Sequence, residues 1–187
     1  MEKRIFTPIT DDKIQSLRAG DLVLINGTIL TGRDQAHKRL VTLLDEGASL
    51  PIDIKDKVIY YTGPTPAKAG RPIGSCGPTS SYRMDPFADQ LMDAGLKVMI
   101  GKGDRSDAFI TDMIKHRGVY LQTVGGAGAL LSRRVKKSRV VAFDDLGAEA
   151  IYELEVEDFP VIVTYDIYGR NLITDEVKKF QMIKSDI

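Results

Sequence analysis

The chain has 187 residues, 43% of them hydrophobic and 28% charged, and its 26 Lys and Arg balance 26 Asp and Glu to a formal net charge of zero. One domain of ordinary core size fits that length, and the lack of a basic excess speaks against a dedicated nucleic-acid or membrane-surface protein. A single cysteine excludes an internal disulfide framework. No apolar run approaches the roughly 20 residues of a bilayer span, and the start at Met1–Ile5 lacks the apolar core of a secretory signal, so a cytoplasmic protein is expected.

Arg4 to Ile9 is a short extended stretch ending near Pro8, suited to a sheet edge because proline cannot donate to a ladder. Thr10-Asp11-Asp12 supplies capping residues for a short helix over Lys13–Leu17. Asn26-Gly27, between the apolar runs Leu22–Ile25 and Thr28–Thr31, predicts a two-residue hairpin. A helix to about Glu46 follows Gly32-Arg33, with Ala36, Leu40, Leu43 and Leu44 at helical spacing and Gly47 as its stop. Arg33 and His37, four apart, share a face near its start. Val58–Tyr61 reads as a strand. Thr62–Ser75 is a long Gly- and Pro-rich loop, of the kind that usually carries function in a compact domain.

Between Gly77 and Ser106 the residue types turn from structural to chemical. A rigid Gly77-Pro78 turn delivers two hydroxyls, Thr79 and Ser80, and then Arg83. A short amphipathic helix bearing Phe87, Leu91 and Met92 leads to the apolar strand Val98–Ile100, which ends at Gly101-Lys102-Gly103. Glycines on both sides of Lys102 leave room for a ligand to approach. Cations fixed beside a hydroxyl suit a small anion. The plainer expectation is that Arg83, Lys102 and Arg105 are solvated surface charges, the usual place for such side chains. His37 stands between similar alternatives, a site residue beside Arg33 or an ordinary hydrogen-bonding histidine.

A helix over Asp107–His116 comes next, with Phe109, Ile110, Met113 and Ile114 inward and Gly118 as its stop, then a strand at Val119–Leu121. Gly125-Gly126-Ala127-Gly128 precedes what reads as a helix ending in Arg133-Arg134-Val135-Lys136-Lys137. A glycine-rich turn before a helix can cradle phosphate, but this spacing fits neither the P-loop nor the dinucleotide fingerprint, and a structural turn is expected. Val140–Phe143, Ile151–Val156 and Pro160–Val163 read as strands, followed by a polar tail. Helices and strands interleave, while the hairpin and the late strands break a purely parallel order. The expectation is therefore one α/β domain over 1–187 with a mixed sheet. One Cys and two His distant in sequence cannot supply an iron–sulfur or structural zinc set, so any cluster chemistry must draw most of its ligands from another chain.

Three segments occur in order: Thr31-Gly32-Arg33-Asp34-Gln35-Ala36-His37, Gly77-Pro78-Thr79-Ser80-Ser81-Tyr82-Arg83-Met84-Asp85 and Gly101-Lys102-Gly103-Asp104-Arg105-Ser106. Together they resemble the β subunit of class I fumarate hydratases and the related tartrate dehydratase β subunits. The likeness extends over essentially the whole chain, including Gly125–Leu130 and Asp166–Leu172. It implies a swivelling β/β/α domain. It also implies a partner α subunit, in an α2β2 assembly, whose three cysteines hold a four-iron–four-sulfur cluster with one iron open to substrate. This chain itself would then bind no metal. On the matching positions the resemblance implies that Arg33, Arg83, Lys102 and His37 bind a dicarboxylate. Thr79 and Lys102 would be the catalytic pair, with Thr79 taking a proton from malate's methylene carbon. An alkoxide is too basic to form unaided near neutral pH, so this role calls on nearby positive charge or a partner carboxylate. Ser80 stands where a second threonine is usual, and Cys76 reads as a small buried filler rather than a nucleophile. The Lys102–Ser106 form is nearer to fumarases than to tartrate dehydratases, which favours fumarate and malate over tartrate. A non-catalytic anion-binding domain is the alternative of a different class.

Overall fold

The computed structural model describes residues 2–185. Among them, seven strands form one sheet: β1 (Glu2–Phe6), β2 (Leu22–Thr31), β3 (Val58–Tyr60), β4 (Val98–Gly101), β5 (Val119–Gln122), β6 (Val135–Ala142) and β7 (Ile151–Tyr165). Strands β1 to β5 neighbour one another in parallel, while β7 runs antiparallel to β2, β5 and β6. Because β7 pairs with both β2 and β5, the run β2-β3-β4-β5-β7 closes on itself as a small barrel, with β1 and β6 as edges. The expected α/β class with a mixed sheet is what the chain builds.

Alternation assigns the faces, since successive strand residues point to opposite sides. Val58 and Tyr60, Val98 and Ile100, and Val119 and Leu121 join Val23, Ile25, Ile29, Leu154, Phe159 and Val163 in one core. Their alternate neighbours Ile59, Met99 and Tyr120 join a second core. It contains Leu40 of α2 (Asp34–Asp45), Leu91 of α3 (Asp85–Asp93), and Phe109 and Met113 of α4 (Asp107–Lys115). Helices cover the second core, so the first is the barrel interior. Strands β3 to β5 are dry on both faces, which is why they read as continuous apolar runs. A short helix, α1 (Asp11–Gln15), adds Ile14 to the barrel core, and the polar tail forms α6 (Leu172–Ser185).

Four sequence expectations are corrected. Asn26-Gly27 does not reverse the chain. Strand β2 runs through it, and the pairing with β7 shifts register between Ile25 and Gly27. Gly27 takes φ +103°, and Asn26 exchanges hydrogen bonds with Asp158 across the ladder: Asp158 N–H donates to Asn26 Oδ1 (3.0 Å), and Asn26 Nδ2 donates to Asp158 Oδ1 (3.2 Å). The local turn preference goes into a bulge, because β7 offers a partner on both sides of it. Second, the basic run after Gly128 is not a helix end. Helix α5 (Gly128–Leu131) stops early and Val135–Lys137 opens β6. There Lys136, Lys137 and Arg139 meet Glu157, Glu155 and Glu153 of β7 at 2.7, 2.8 and 2.6 Å, cross-strand pairs that a helix would not provide. Third, the two late runs at Ile151 and Pro160 are one strand, β7. Fourth, the left-handed residue that ends α4 is Arg117, φ 56°, rather than Gly118.

Candidate functional site

Parallel strands present their C-terminal ends on one side, and the loops beyond such ends are where open α/β sheets hold ligands. Arg33 lies two residues past the end of β2, and Lys102 directly follows Gly101, the last residue of β4. Thr79 is drawn to the end of β3 through its backbone, its N–H donating to Tyr61 O at 2.7 Å. The next residue, Ser80, forms a parallel bridge with Lys102, which sets the two segments about 4.8 Å apart. Arg83 stands on a 3-10 turn, Ser81–Met84, that leads into α3.

The turn carrying Lys102 is pinned from several directions. Ser81 N–H donates to Lys102 O (3.0 Å), and Lys102 N–H donates to Ser81 Oγ (3.0 Å). Gly103 O accepts from Tyr120 Oη and Gln122 Nε2, both at 2.9 Å, and Tyr120 Oη shares a 2.8 Å bond with Ser81 Oγ. Gly101 is required by contact, since a Cβ there would lie 1.9 Å from Ser81 Oγ. From this base the Lys102 stem passes Gly125, where a Cβ would stand 3.8 Å from Nζ, and lines a cleft of about 390 Å³ with Gln122, Thr123 and Thr164. Among the described residues, Thr79 Oγ1 and Lys102 Nζ have no hydrogen-bond or ion-pair partner.

The two arginines are joined by an acid. Asp34 Oδ1 lies 2.8 Å from Arg83 Nε and its Oδ2 lies 3.7 Å from Arg33 Nε, while Arg33 Nη2 is 3.5 Å from Glu149 Oε1. Arg33 runs across Gly63, where a Cβ would come within 2.9 Å of its Cδ. Asp34, Glu149 and Gly63 were not singled out from the sequence. Asp34 is adjacent to Arg33 in the chain, but Glu149 and Gly63 reach it only through the fold.

His37 lies beneath this row rather than in it. Its ring is 1% exposed, edge-on to Tyr61 with centroids 5.2 Å apart, and Nδ1 is 2.9 Å from Arg33 O. Burial, with a smaller push from the Arg105 charge, lowers its pKa to about 4 against the raising effects of the Arg33 carbonyl and Asp34. The imidazole is therefore neutral near pH 7, with Nδ1 donating to the carbonyl and Nε2 enclosed without a partner.

Arg105 overturns the surface expectation. Its side chain is 0% exposed; Nε donates to Asp85 Oδ1 at 2.5 Å, and the guanidinium lies 3.3 Å from the Phe109 ring centroid. The sequence carried one signal for this, an acid opening one apolar helix and a base just before the cap of the next. Cys76 is 0% exposed with Sγ 3.9 Å from Gly128 O, and burial pushes its thiol up to about 12, as suits a filler. With that thiol enclosed, His37 buried and His116 bonded to Asp93 at 2.7 Å, the donors of this chain do not fit an iron–sulfur cluster. No helix among the described residues is long and apolar enough to cross a membrane.

Residues 2–176 match the family described as Fumarase C-terminus. The chain is 43% identical over 157 residues to "Fumarate hydratase class I, anaerobic" of Escherichia coli K12, covering 83% of this chain and 29% of that protein. It is 37% identical over 155 residues to "Fumarate hydratase 2" of Leishmania major, covering 82% and 27%. It is also 36% identical over 180 residues to "Putative L(+)-tartrate dehydratase subunit beta" of Methanocaldococcus jannaschii, covering 93% and 92%. The chain thus spans under a third of the length of these fumarate hydratases and nearly all of the tartrate dehydratase subunit. A match that runs through every strand of the barrel and through all three segments at its strand ends makes this chain a member of the Fumarase C-terminus family.

Proposed function

We propose that this chain is the β-type subunit of a hydro-lyase that interconverts (S)-malate and fumarate, working as an α2β2 assembly in the cytoplasm. The observation that carries the reading is the convergence of Arg33, Thr79, Arg83 and Lys102 on one end of the parallel strands, with Thr79 Oγ1 and Lys102 Nζ lacking partners of their own. A dicarboxylate needs a cation at each end. In the free chain Asp34 and Glu149 hold the two arginines, and in this reading a substrate carboxylate takes over part of that pairing through charge-assisted bonds.

Lys102 supplies the second anchor, and its charge stabilises the alkoxide of Thr79 formed when the hydroxyl passes its proton to a carboxylate of the partner subunit, after which Oγ1 takes the proton from carbon. His37, as a neutral ring, contributes from beneath by holding the Arg33 carbonyl, in place of a direct grip on the substrate. The cluster implied by the family belongs, in this reading, to the partner subunit, because the donor set here does not fit it. Tartrate is the second substrate reading, favoured by the match over 92% of a putative tartrate dehydratase β subunit. Turnover of malate and of tartrate by the assembled enzyme decides between them.

Thr79→Ala in the assembled enzyme tests the core of the proposal. The expected result is a turnover loss of about 10²–10⁴-fold with KM little changed and assembly intact. Undiminished turnover refutes Thr79 as the proton carrier and favours an anion-binding role without chemistry.

A further inference from the structure

Asp85 opens α3 two residues beyond Arg83, and its carboxylate is divided between two donors across the next loop. Oδ1 accepts from Arg105 Nε at 2.5 Å, and Oδ2 accepts from Ser106 N–H at 2.8 Å. Ser106 is itself the N-cap of α4, with Oγ accepting from Phe109 N–H at 3.2 Å. At the near end of the same two segments, Ser81 and Lys102 exchange backbone and hydroxyl hydrogen bonds. Residues 81–85 and 102–106 are therefore fastened at both ends. Arg83 stands on one of them and Lys102 on the other.

The far fastening is an unusual choice if stability alone is served. Arg105 Nη1 and Nη2 are buried with no second carboxylate beside them among the described residues, and the guanidinium lies among Phe109, Tyr120 and Tyr61 at 3.3, 4.9 and 5.4 Å from their ring centroids. Burying two charges is costly, and a well-packed apolar pair commonly replaces a buried ion pair without loss of stability. What the pair adds is direction, since a carboxylate taking one donor on each oxygen fixes the loop's position against the helix.

Resting on the function proposed above, we infer that Asp85 and Arg105 are positioning residues whose staple sets the spacing between Lys102 and Arg83, and with it the length of dicarboxylate the site accepts. Two cations held at fixed separation bind a dianion of matching span with straight hydrogen bonds, and a dianion one methylene longer only with bent ones. Anchors free to drift would accept both.

The test uses the assembled enzyme and two dianions that cannot react, succinate with four carbons and glutarate with five, as competitive inhibitors. The variants are Arg105→Lys, the double variant Asp85→Asn with Arg105→Met, and Lys102→Ala as a control. In the double variant the charges go together, the Asp85→Asn change keeps an acceptor for Ser106 N–H, and the methionine fills the space among the three rings, so folding is expected to survive. Loss of the staple is expected to raise Ki for succinate about 10–100-fold, the scale of an ångström-sized misplacement, while Ki for glutarate moves far less. KM for malate should rise more than kcat falls, whereas a merely destabilised enzyme would lose active fraction with KM unmoved. If Lys102→Ala weakens both inhibitors while both staple variants keep the parent ratio of the two Ki values, the inference is overturned. If Lys102→Ala leaves both Ki values unchanged, the clamp reading beneath it fails instead. Failure of the double variant to fold, with an unchanged ratio in Arg105→Lys, also overturns it, since the pair would then be structural.

Discussion

Replacing Gly101 with Ala should disable the turn under Lys102 through one methyl group. Gly101 is not among the residues with positive φ, so alanine meets no backbone penalty and the effect is steric. The new Cβ would stand 1.9 Å from Ser81 Oγ, 2.9 Å from Tyr61 Cδ2 and 3.2 Å from Ser81 Cβ. Tyr61 is buried at 1% exposure and Ser81 at 0%, so neither can swing into solvent. Overpacking of this kind costs about 1–3 kcal/mol. If Ser81 rotates away, Lys102 N–H loses its acceptor, which adds about 1–3 kcal/mol for a buried donor left unpaired. The sum is about 2–6 kcal/mol. At about 2–4 °C per kcal/mol for a chain of this size, a central value near 4 kcal/mol lowers Tm by about 8–16 °C. Urea unfolding of the full chain, followed by far-UV circular dichroism, reads this directly. Tyrosine fluorescence offers a second probe, as the chain has seven Tyr and no Trp. Ser81→Ala removes the atom in the closest clash, so the double variant should cost less than the two single losses added, by about 1–3 kcal/mol. Strict additivity, or a Gly101→Ala loss within about 0.5 kcal/mol as for an ordinary surface change, would refute the reasoning.

Two further outcomes follow from the buried groups. His37 titrates near 6.5 when unfolded and at about 4 when folded, so its contribution is intact above pH 6.5 and is lost as pH falls toward 4. Between pH 7 and pH 5 this amounts to about 2 kcal/mol of the roughly 3 kcal/mol total. A flatter pH dependence of the urea midpoint in His37→Gln checks it, and a native ring resonance titrating near pH 6.5 that disappears in His37→Gln would contradict it. For Cys76, a rise from 9.0 to about 12 cuts the thiolate fraction about a thousandfold at pH 8. Iodoacetamide should therefore label the native chain at least that much more slowly than the unfolded one, and comparable rates would show the thiol to be accessible.

Much of the fold was legible because the patterns that specify it are short-ranged. The short continuous apolar runs of β3 to β5 and the helical spacing in α2 and α4 are complete within a few positions, so these elements were found close to their observed bounds. Asn26-Gly27 misled because a turn preference is local while the competing partner is remote: Thr28–Leu30 pairs with 153–155 of β7, over 120 residues away. The basic run at Arg133–Lys137 misled for the same reason, since Glu155 and Glu157, which make it a strand, lie on β7. Among the candidate site residues, Arg33, Thr79, Arg83 and Lys102 could be named from their motifs. Asp34's place between the two arginines and the burial of His37 and Arg105 could not.

By itself, then, the sequence determined most of the element types, a formally neutral chain with a single thiol, and three segments rich in cations and hydroxyls. Which of those segments meet was decided by the tertiary structure, because parallel strands distant in sequence place their ends together only when the barrel closes through β7. Burial was decided there too. Whether an arginine is a solvated surface charge or a fixed post inside an aromatic box depends on what three other elements bring against it, and no local pattern encodes that.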